Sequence, residues 1–197
     1  ESKLLKRLFD IVFSLFVCVF VLSWLYPLLF VLIKLESRGP AIFKQKREGF
    51  QGREFVCYKF RSMRMNKFSD KMHARKNDER ITKIGAFLRK TSLDEFPQFF
   101  NVILGSMSVV GPRPHIEKFA IEYQKDVDNY MERHDVKPGI TGLAQISGYR
   151  GEIIKKSDIK NRVRLDIFYI ENWSLALDIK IIIKTMFSIL KGDEKAY

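Results

Sequence analysis

The feature that most constrains this chain is an apolar run over residues 11–33, in which 23 consecutive residues carry no charge. A straight helix of that length would reach about 34 Å, enough to cross the hydrocarbon core of a bilayer. A cleaved signal peptide is disfavoured, because the run is too long and no small-residue cleavage site follows it. The residues alone leave a re-entrant helix, a spanning helix and a buried core helix open.

Basic residues flank the apolar run at both ends. They are Lys3, Lys6 and Arg7 before it and Lys34, Arg38, Lys44, Lys46 and Arg47 after it. Because Lys and Arg near membrane segments favour the cytoplasmic side, a helix that enters and returns would keep both groups there. Pro27 can bend the helix, and Ser23 can bond a carbonyl freed near the bend. Asp10 is expected to pair with Arg7, three residues before it.

The chain is strongly basic, with 35 Lys and Arg against 23 Asp and Glu in 197 residues, a net charge of +12. Between residues 34 and 89 there are 16 basic and 6 acidic residues, so +10 of that charge lies there. Such a surplus predicts a polyanionic partner: nucleic acid, anionic lipid or a phosphorylated substrate. The two cysteines, Cys18 and Cys57, lie far apart without a Cys/His cluster, which disfavours a zinc site and favours a reducing compartment.

Residues 41–63 predict a β-hairpin, because two alternating apolar runs flank a turn around Gly49 and Gly52. In the second run Lys59 and Arg61 are two residues apart and are expected on one face. That face is either a solvated surface or a pair of cations for phosphate oxygens. Residues 64–80 read as an exposed loop, and residues 78–90 as a short amphipathic helix that ends beside Arg89.

The stretch TSLDEFPQFFN (91–101) places two carboxylates, Asp94 and Glu95, side by side in this basic chain. Pro97 is tolerated only in a first helical turn, which predicts a helix beginning between Ser92 and Asp94. Asp and Glu are common there simply as caps. The alternative is chemical: an ionised Asp94 can attack phosphorus, and Glu95 can hold Mg²⁺.

The last third of the chain offers further cations on loops. The Gly-Pro-Arg-Pro element at 111–114 presents Arg113 on a stiff turn, and with Lys59, Arg61 and Arg89 it can neutralise phosphates. A helix is predicted over 115–132 and an irregular loop over 134–152, which carries Arg150 and a lone His134, for which a structural role is favoured over that of a base. Two helices follow over 157–191, broken near residue 172, and the second can lie in a membrane interface.

Five stretches together resemble a known family, the bacterial sugar transferases, also called monotopic phosphoglycosyl transferases. They are KRLFDI (6–11), IFKQKREG (42–49), YKFRSM (58–63), LRKTSLDEFPQFFNVILGSMSVVGPRP (88–114) and HDVKPGITGLAQISGYRG (134–151). They cover most of the chain in the expected order, and the closest likeness is to the undecaprenyl-phosphate sugar phosphotransferase domain.

The resemblance implies an α/β, mostly helical fold. Residues 1–36 would form a re-entrant membrane helix hairpin, and residues 37–197 a compact cytoplasmic catalytic domain with a small β-hairpin and interfacial amphipathic helices. It implies a location at the cytoplasmic face of the bacterial inner membrane. The reaction implied moves a sugar-1-phosphate from a UDP-sugar to polyprenyl phosphate and releases UMP, the first membrane step of surface glycan synthesis. Membrane lipids are implied partners; nucleic acid is not.

By the same likeness Asp94 is the nucleophile that forms an aspartyl-phosphosugar, and Glu95 binds Mg²⁺. The implied substrate-binding cations are Lys59, Arg61, Arg89, Arg113 and Arg150. Two departures stand out. The family breaks its membrane helix at an adjacent Ser-Pro, whereas Ser23 is followed by Trp24 and the proline comes at Pro27. SGYRGE resembles members that transfer hexose-1-phosphate, often glucose, but Ile153 stands where Thr is usual.

A rival class is a non-catalytic, basic, membrane-bound module that binds anionic lipid or nucleic acid. It accounts for the net charge and for the apolar run. It gives no reason for two acidic residues to lie among the cations, so the enzyme is the favoured interpretation.

Overall fold

The N-terminal apolar run forms one continuous helical stretch in the computed structural model, which describes residues 3–65, 78–151, 153 and 155–191. Helix α1 (Lys3–Val17) leads through a π-helical segment (Cys18–Leu22) into α2 (Ser23–Glu36). The π segment lies just before Pro27, which has no backbone N–H to donate to a helical hydrogen bond and crowds the preceding turn. Ser23 Oγ donates to the carbonyl of Val19 at 2.6 Å, as predicted.

This stretch is long and apolar enough to cross a membrane by length and composition. It spans Lys3–Glu36, 34 residues, with a mean hydropathy of 2.6 in its most apolar window, of which only 28% is buried. Large apolar side chains such as Phe16, Phe20 and Val31 are more than half exposed. Exposed apolar surface of this extent on one helix is typical of contact with lipid or a partner.

The beginning of α1 is tied to the rest of the chain by charged hydrogen bonds. Arg7 donates to the carbonyls of Val102 and Ile103 at 2.6 and 2.9 Å, which are among the carbonyls that a helix leaves unsatisfied at its C-terminus. Lys6 forms a 2.7 Å ion pair with Asp178, which is fully buried. The start of the apolar helix is therefore part of the folded body.

The expected pairing of Arg7 with Asp10 is wrong. Asp10 is buried and accepts hydrogen bonds of 3.0 Å from the Ser108 hydroxyl and from the Val109 backbone N–H. Lys6, one helical turn earlier, is the nearer cation at 3.7 Å. Arg7 is held by helix-end carbonyls, so it points away from the acid that its spacing suggested.

The end of α2 is tied to the same body. Glu36 accepts hydrogen bonds from the backbone N–H groups of Lys83 and Ile84 at 2.6 and 2.9 Å. These are two of the donors that a helix leaves free at its N-terminus, so Glu36 caps the next helix in the chain from outside it.

The β-hairpin is confirmed. Strand β1 (Ile42–Glu48) pairs antiparallel with β2 (Glu54–Phe60), and the register runs from Ile42 opposite Phe60 to Glu48 opposite Glu54. The turn between them uses a left-handed backbone, with φ +55° at Gln51 and +70° at Gly52, the conformation in which glycine carries no steric cost.

The remaining elements are short up to residue 146 and longer after it. In order they are α3 (Lys83–Lys90), a 3₁₀ turn (Leu93–Glu95), α4 (Gln98–Leu104), β3 (Ser108–Val110), α5 (Glu117–Asp126), a second 3₁₀ turn (Tyr130–His134), β4 (Gly139–Thr141), α6 (Leu143–Ile146), α7 (Lys156–Glu171) and α8 (Leu175–Lys191). The predicted break near residue 172 is confirmed. Helix α3 begins later than predicted, where Thr82 accepts a hydrogen bond from the Gly85 N–H, and α5 is shorter because the chain turns again at residue 127.

The segment 134–152 is more regular than predicted. Strand β4 pairs parallel with β3, and α6 follows. The two strands are joined so closely that a Cβ on Gly139 would lie 2.1 Å from the backbone nitrogen of Gly111. This approach, which only glycine permits, holds the Gly-Pro-Arg-Pro turn against the loop before α6.

The architecture is mostly helical with a small antiparallel sheet, as predicted at that level. The main core is built around Leu88, Val102, Met107, Val110 and Ile181, none of which is exposed. A second apolar cluster, which includes Tyr130, Ile159 and Val163, joins α5 to α7. Most of the loop predicted over 64–80 falls in residues 66–77, outside the described residues.

Candidate active site

The acidic pair lies on a 3₁₀ turn, not in the first turn of a helix. The Glu95 N–H bonds the Ser92 carbonyl at 3.1 Å and the Phe96 N–H bonds the Leu93 carbonyl at 3.2 Å. Ser92 has φ +58°, a left-handed conformation that is rare outside glycine and stores strain. This turn ends before α4 begins at Gln98, so the predicted helix start between residues 92 and 94 is wrong.

Capping does not account for the two acids. Neither the 3₁₀ turn nor α4 carries a side-chain hydrogen bond at its N-cap. Both carboxylates are nevertheless buried, with Asp94 7% and Glu95 6% exposed. Buried acids without a capping role need another source of stabilisation.

Glu95 is held by two cations. Its Oε1 accepts hydrogen bonds from Lys59 at 2.8 Å and from Arg113 at 2.7 Å, and its Oε2 has a longer contact of 3.3 Å to Arg113. Burial by itself would raise the pKa of Glu95, but the charges of Arg113 and Lys59 outweigh it and hold that pKa well below its usual range. Glu95 is therefore ionised and fixed in place.

The environment of the Asp94 carboxylate is different. Among the residues that the structure describes, none donates a hydrogen bond to its carboxylate. Burial raises the pKa of Asp94, against the opposing charges of Lys59, Arg89 and Arg113. The result is a carboxylate surrounded by positive charge whose oxygens are not engaged, which suits a group that must form a new bond.

Asn101 explains why strand and acidic turn meet. Its side-chain oxygen accepts from the Tyr58 N–H at 3.0 Å, and its amide nitrogen donates to the Val56 carbonyl at 2.7 Å. The side chain thus joins α4 to β2 as a further strand would, and sets Lys59 beside Glu95. Sequence analysis did not single out Asn101, although it lies within the acidic motif.

Four of the five predicted cations act on the acidic pair. Lys59 and Arg113 contact Glu95 directly, the charge of Arg89 lowers the pKa of Asp94, and the charge of Arg150 lowers that of Glu95. Arg150 also donates a hydrogen bond of 2.6 Å to Ser92 Oγ, a contact that sequence analysis missed.

Arg61 lies elsewhere, contrary to its predicted place beside Lys59. It is 3% exposed, and its guanidinium donates to the carbonyls of Ser37 at 2.6 Å and Arg38 at 3.1 Å, and more weakly to Ile33 at 3.3 Å. These are carbonyls at the end of α2. Strand β2 ends at Phe60, so the alternation that put both cations on one face does not extend to Arg61.

His134 has a structural environment. It is buried, with Nε2 3.4 Å from Glu48 Oε2. Burial, together with the charge of Arg133, lowers the pKa of His134 to about 4, so the ring is neutral at pH 7. This agrees with the structural role that sequence analysis favoured over a general base.

The two carboxylates are a minimal set of protein ligands for a cation. No group of three or more His, Cys, Asp or Glu side chains suited to a metal is found in the described part of the chain. Mg²⁺ needs no such cage, since it commonly takes one or two carboxylates together with water and substrate phosphates. Glu95 Oε2 has only the longer contact to Arg113, so it is the Glu95 oxygen that can bind a cation with the smallest loss of existing hydrogen bonding.

An apolar groove opens beside the acidic pair, with a volume of about 450 Å³, a size typical of ligand sites. Its lining includes three residues of the apolar helix near Pro27 and three residues of the body: Leu22, Tyr26 and Pro27, and Tyr58, Pro97 and Phe100. Pro97 follows Glu95 by two residues, and Tyr58 precedes Lys59. The groove therefore lies between the apolar helix and the chain segments that carry Lys59 and Glu95.

Fold and site together define a class: a mostly helical protein with one long apolar helix and a buried acidic pair among cations. The family model for bacterial sugar transferases matches residues 1–192. The chain belongs to this family, as its motifs predicted.

Curated relatives agree with the family. The chain is 49% identical over 184 residues to a UDP-glucose:undecaprenyl-phosphate glucose-1-phosphate transferase of Xanthomonas campestris pv. campestris, covering 91% of this chain and 38% of that protein. It is 44% identical over 191 residues to the exopolysaccharide production protein PSS of Rhizobium leguminosarum bv. phaseoli, covering 94% and 95%. It is also 44% identical over 164 residues to a UDP-N-acetylgalactosamine-undecaprenyl-phosphate N-acetylgalactosaminephosphotransferase of Aeromonas hydrophila, covering 82% and 38%. The chain spans about two fifths of the length of several of these relatives.

Proposed function

We propose that this chain transfers a sugar-1-phosphate from a UDP-sugar to undecaprenyl phosphate and releases UMP, at the first membrane step of a surface glycan such as an exopolysaccharide. The observation that carries the proposal is the contrast within the acidic pair. Glu95 is locked by Lys59 and Arg113, whereas the buried Asp94 carboxylate is left unengaged by the described residues. Relatives with this family membership are named for the same kind of transfer.

The reaction has two balanced steps. An Asp94 oxygen attacks the phosphorus that carries the sugar. The bond between that phosphorus and the oxygen bridging the two phosphates breaks, and UMP leaves with the bridging oxygen. A phosphate oxygen of the polyprenyl phosphate then attacks the same phosphorus, and the Asp94 carboxylate leaves. Arg113, Lys59 and Arg89 offset the charge that the diphosphate brings, as phosphoryl transfer requires.

Mg²⁺ is proposed as the cofactor, held by Glu95 and substrate phosphate oxygens. When bound it would supply further neutralisation of the diphosphate. Glu95→Gln should then require more Mg²⁺ for half-maximal activity. An unchanged Mg²⁺ titration in that variant would remove Glu95 as the ligand.

The donor is proposed to be a UDP-hexose, with UDP-glucose as the first to test. Several of the curated relatives are named for glucose-1-phosphate transfer, and one for N-acetylgalactosamine. A panel of UDP-sugars compared at equal concentration decides among them.

The decisive experiment measures exchange of labelled UMP into UDP-glucose without acceptor, which reports the first step alone. Wild type should exchange, and with UDP-glucose labelled in the glucose it should retain labelled phosphosugar; Asp94→Asn should do neither. Near-normal exchange in Asp94→Asn would exclude Asp94 as nucleophile. No UMP release with any donor and acceptor would favour instead the basic module that binds anionic lipid without catalysis.

The apolar helix is proposed to be re-entrant, with residues 37–197 on the cytoplasmic face of the bacterial inner membrane. Support comes from its two ends. Its beginning contacts α4 and α8 through Arg7 and Lys6, and its end contacts α3 and Arg61. These contacts support a helix that keeps both ends on the same side of the bilayer as the folded body.

Helix α8 is proposed to lie in the membrane interface. Its apolar residues Ile179, Ile183, Met186 and Phe187 are exposed and recur at helical spacing.

Protease access tests the re-entrant topology of the apolar helix. A tag placed ahead of Lys3 should resist protease added outside intact cells and be cleaved after the membrane is opened. Cleavage from outside would indicate a spanning helix.

A further inference from the structure

A group of buried polar side chains on and beside α7 contacts the loops that carry two of the site cations, Arg113 and Arg150. The group comprises His115, Tyr130, Arg133, Arg162 and Asp166, each at most 6% exposed. Neither the proposed chemistry nor the sequence motifs account for it. Buried charges are costly, and replacing a buried ion pair by apolar residues is often neutral or stabilising. Stability alone is therefore a weak reason for this group to exist.

Arg133 links α7 to Arg113. Its Nη2 donates to the Arg113 carbonyl at 2.7 Å and to Asp166 Oδ2 at 2.8 Å, and its Nε donates to the same oxygen at 3.1 Å. Asp166 thus orients the guanidinium, and the guanidinium holds the main chain of Arg113. From the other direction Arg47 donates to the carbonyl of Pro114 at 2.7 Å. The turn that presents Arg113 to Glu95 is clamped on two successive carbonyls.

Arg162 links the same helix to Arg150. It lies four residues before Asp166, on the same face of α7, and its Nη2 donates to the Gly151 carbonyl at 2.9 Å. Gly151 follows Arg150, whose guanidinium bonds Ser92. Burial, with the nearby charges of Arg113 and Arg133, lowers the pKa of Arg162 to about 10. The Arg162 guanidinium thus lies where burial and like charges disfavour its charged form. Its hydrogen bond to Gly151 holds the loop that carries Arg150.

We propose that Asp166 and Arg162 are positioning residues: one helix, α7, sets the places of both Arg113 and Arg150 relative to the acidic pair. Asp166 acts through Arg133 on the main chain of Arg113, and Arg162 acts on the main chain next to Arg150. This inference rests on the proposed function for its effect on rate, but its effect on the place of Arg113 can be measured without turnover.

Arg113 Nη2 donates to Glu95 Oε1 at 2.7 Å, so displacement of Arg113 has a specific consequence. In Asp166→Asn the Arg113 guanidinium should change its surroundings, and the maximal rate of UMP exchange per folded molecule should fall. A residue that served only stability would lower the amount of folded protein without changing either. The matched control is Val163→Ala, which removes buried volume from the same helix and has no hydrogen bond to the site loops.

The first measurement is a ¹⁵N NMR spectrum of the arginine side chains of the full chain in lipid nanodiscs, with the Arg113 Nε signal assigned by its loss in Arg113→Lys. We expect this signal to shift in Asp166→Asn and to keep its wild-type position in Val163→Ala. Equal positions in all three proteins would overturn the role of Asp166. A shifted Arg113 signal in Asp166→Asn, when the wild type itself exchanges no UDP-sugar, would uphold the positioning and reject the proposed function.

The second measurement is a double-mutant cycle on UMP exchange. Arg162→Lys keeps the charge but not the fork that reaches Gly151, and it should lower the maximal exchange rate by about 10- to 100-fold, as misplacement of a site group does. In the Arg150→Gln background the same change should have little further effect, because the two act through one contact. Additive losses in the double variant would overturn the role of Arg162, as would an unchanged rate in Arg162→Lys.

Discussion

Arg150 donates a 2.6 Å hydrogen bond to the hydroxyl of Ser92, a residue whose backbone is left-handed two positions before Asp94. The contact joins the loop after α6 to the turn that carries the acidic pair, across 58 residues of chain. A strained residue persists only where its surroundings hold it, and here the holding group is a cation of the site itself.

The strain at Ser92 can be separated from its hydrogen bond. Ser92→Ala removes the hydrogen bond and keeps the left-handed strain, so it should lower the free energy of unfolding by about 1 kcal/mol. Ser92→Gly also loses the bond but relieves strain of about 1 kcal/mol, so it should be the more stable of the two. Thermal unfolding of both variants in one detergent checks this order; a less stable glycine variant would contradict it.

The two acids should respond oppositely to neutralisation at pH 7. Glu95→Gln leaves the half-buried Lys59 and Arg113 without their counter-charge and should cost about 3 kcal/mol. Asp94→Asn should hold or raise stability, because burial raises the pKa of Asp94 and the folded state therefore disfavours its ionised form. Denaturant unfolding of both variants measures the difference, and equal losses would mean that Asp94 is paired in solution.

The different places of Lys59 and Arg61 predict different defects. Lys59→Met should lower the rate of UMP exchange, since it removes a cation from the acidic pair. Arg61→Met should lower thermal stability, since it frees the carbonyls at the end of α2, while exchange per folded molecule stays near that of wild type. If Arg61→Met lost exchange activity at unchanged stability, Arg61 would be assigned to the phosphate-binding cations after all.

His134 should make stability depend on pH in a defined window. Its pKa falls from an ordinary 6.5 to about 4 in the folded state, so below pH 6.5 the unfolded chain takes up a proton that the folded chain does not. Stability from this group is complete above pH 6.5 and is lost as pH falls toward about 4, at no more than about 1.4 kcal/mol per pH unit. The difference in unfolding free energy between wild type and His134→Gln should shrink over that window; a constant difference would contradict the shift.

The apolar groove should serve the acceptor and not the donor. Phe100→Trp enlarges a side chain that lines it and should raise KM for undecaprenyl phosphate while UMP exchange without acceptor is unchanged. Phe87→Trp, an equal enlargement of an exposed aromatic outside the groove, is the control. Equal acceptor KM values in the two variants would place the prenyl chain elsewhere.

Much of the site was predictable because its parts are local in sequence. The acidic pair, the Gly-Pro-Arg-Pro turn and the hairpin each occupy a few adjacent residues with distinctive chemistry. Arg61 was misplaced because strand alternation predicts which side a residue faces only while the strand continues. The helix start was misplaced because Pro97 permits a first helical turn but does not require one, and the left-handed Ser92 favoured a 3₁₀ turn instead.

The sequence by itself determined that this chain has one apolar helix, an excess of positive charge, an acidic pair among cations, and a place in the bacterial sugar transferase family. Only the tertiary structure decided which cation holds which acid, that Arg61 belongs to the end of α2, and that α7 supports both Arg113 and Arg150. The reason is physical: periodicity and turn chemistry act over a few residues, whereas the partner of a long side chain depends on which distant carbonyls and carboxylates packing brings within its reach.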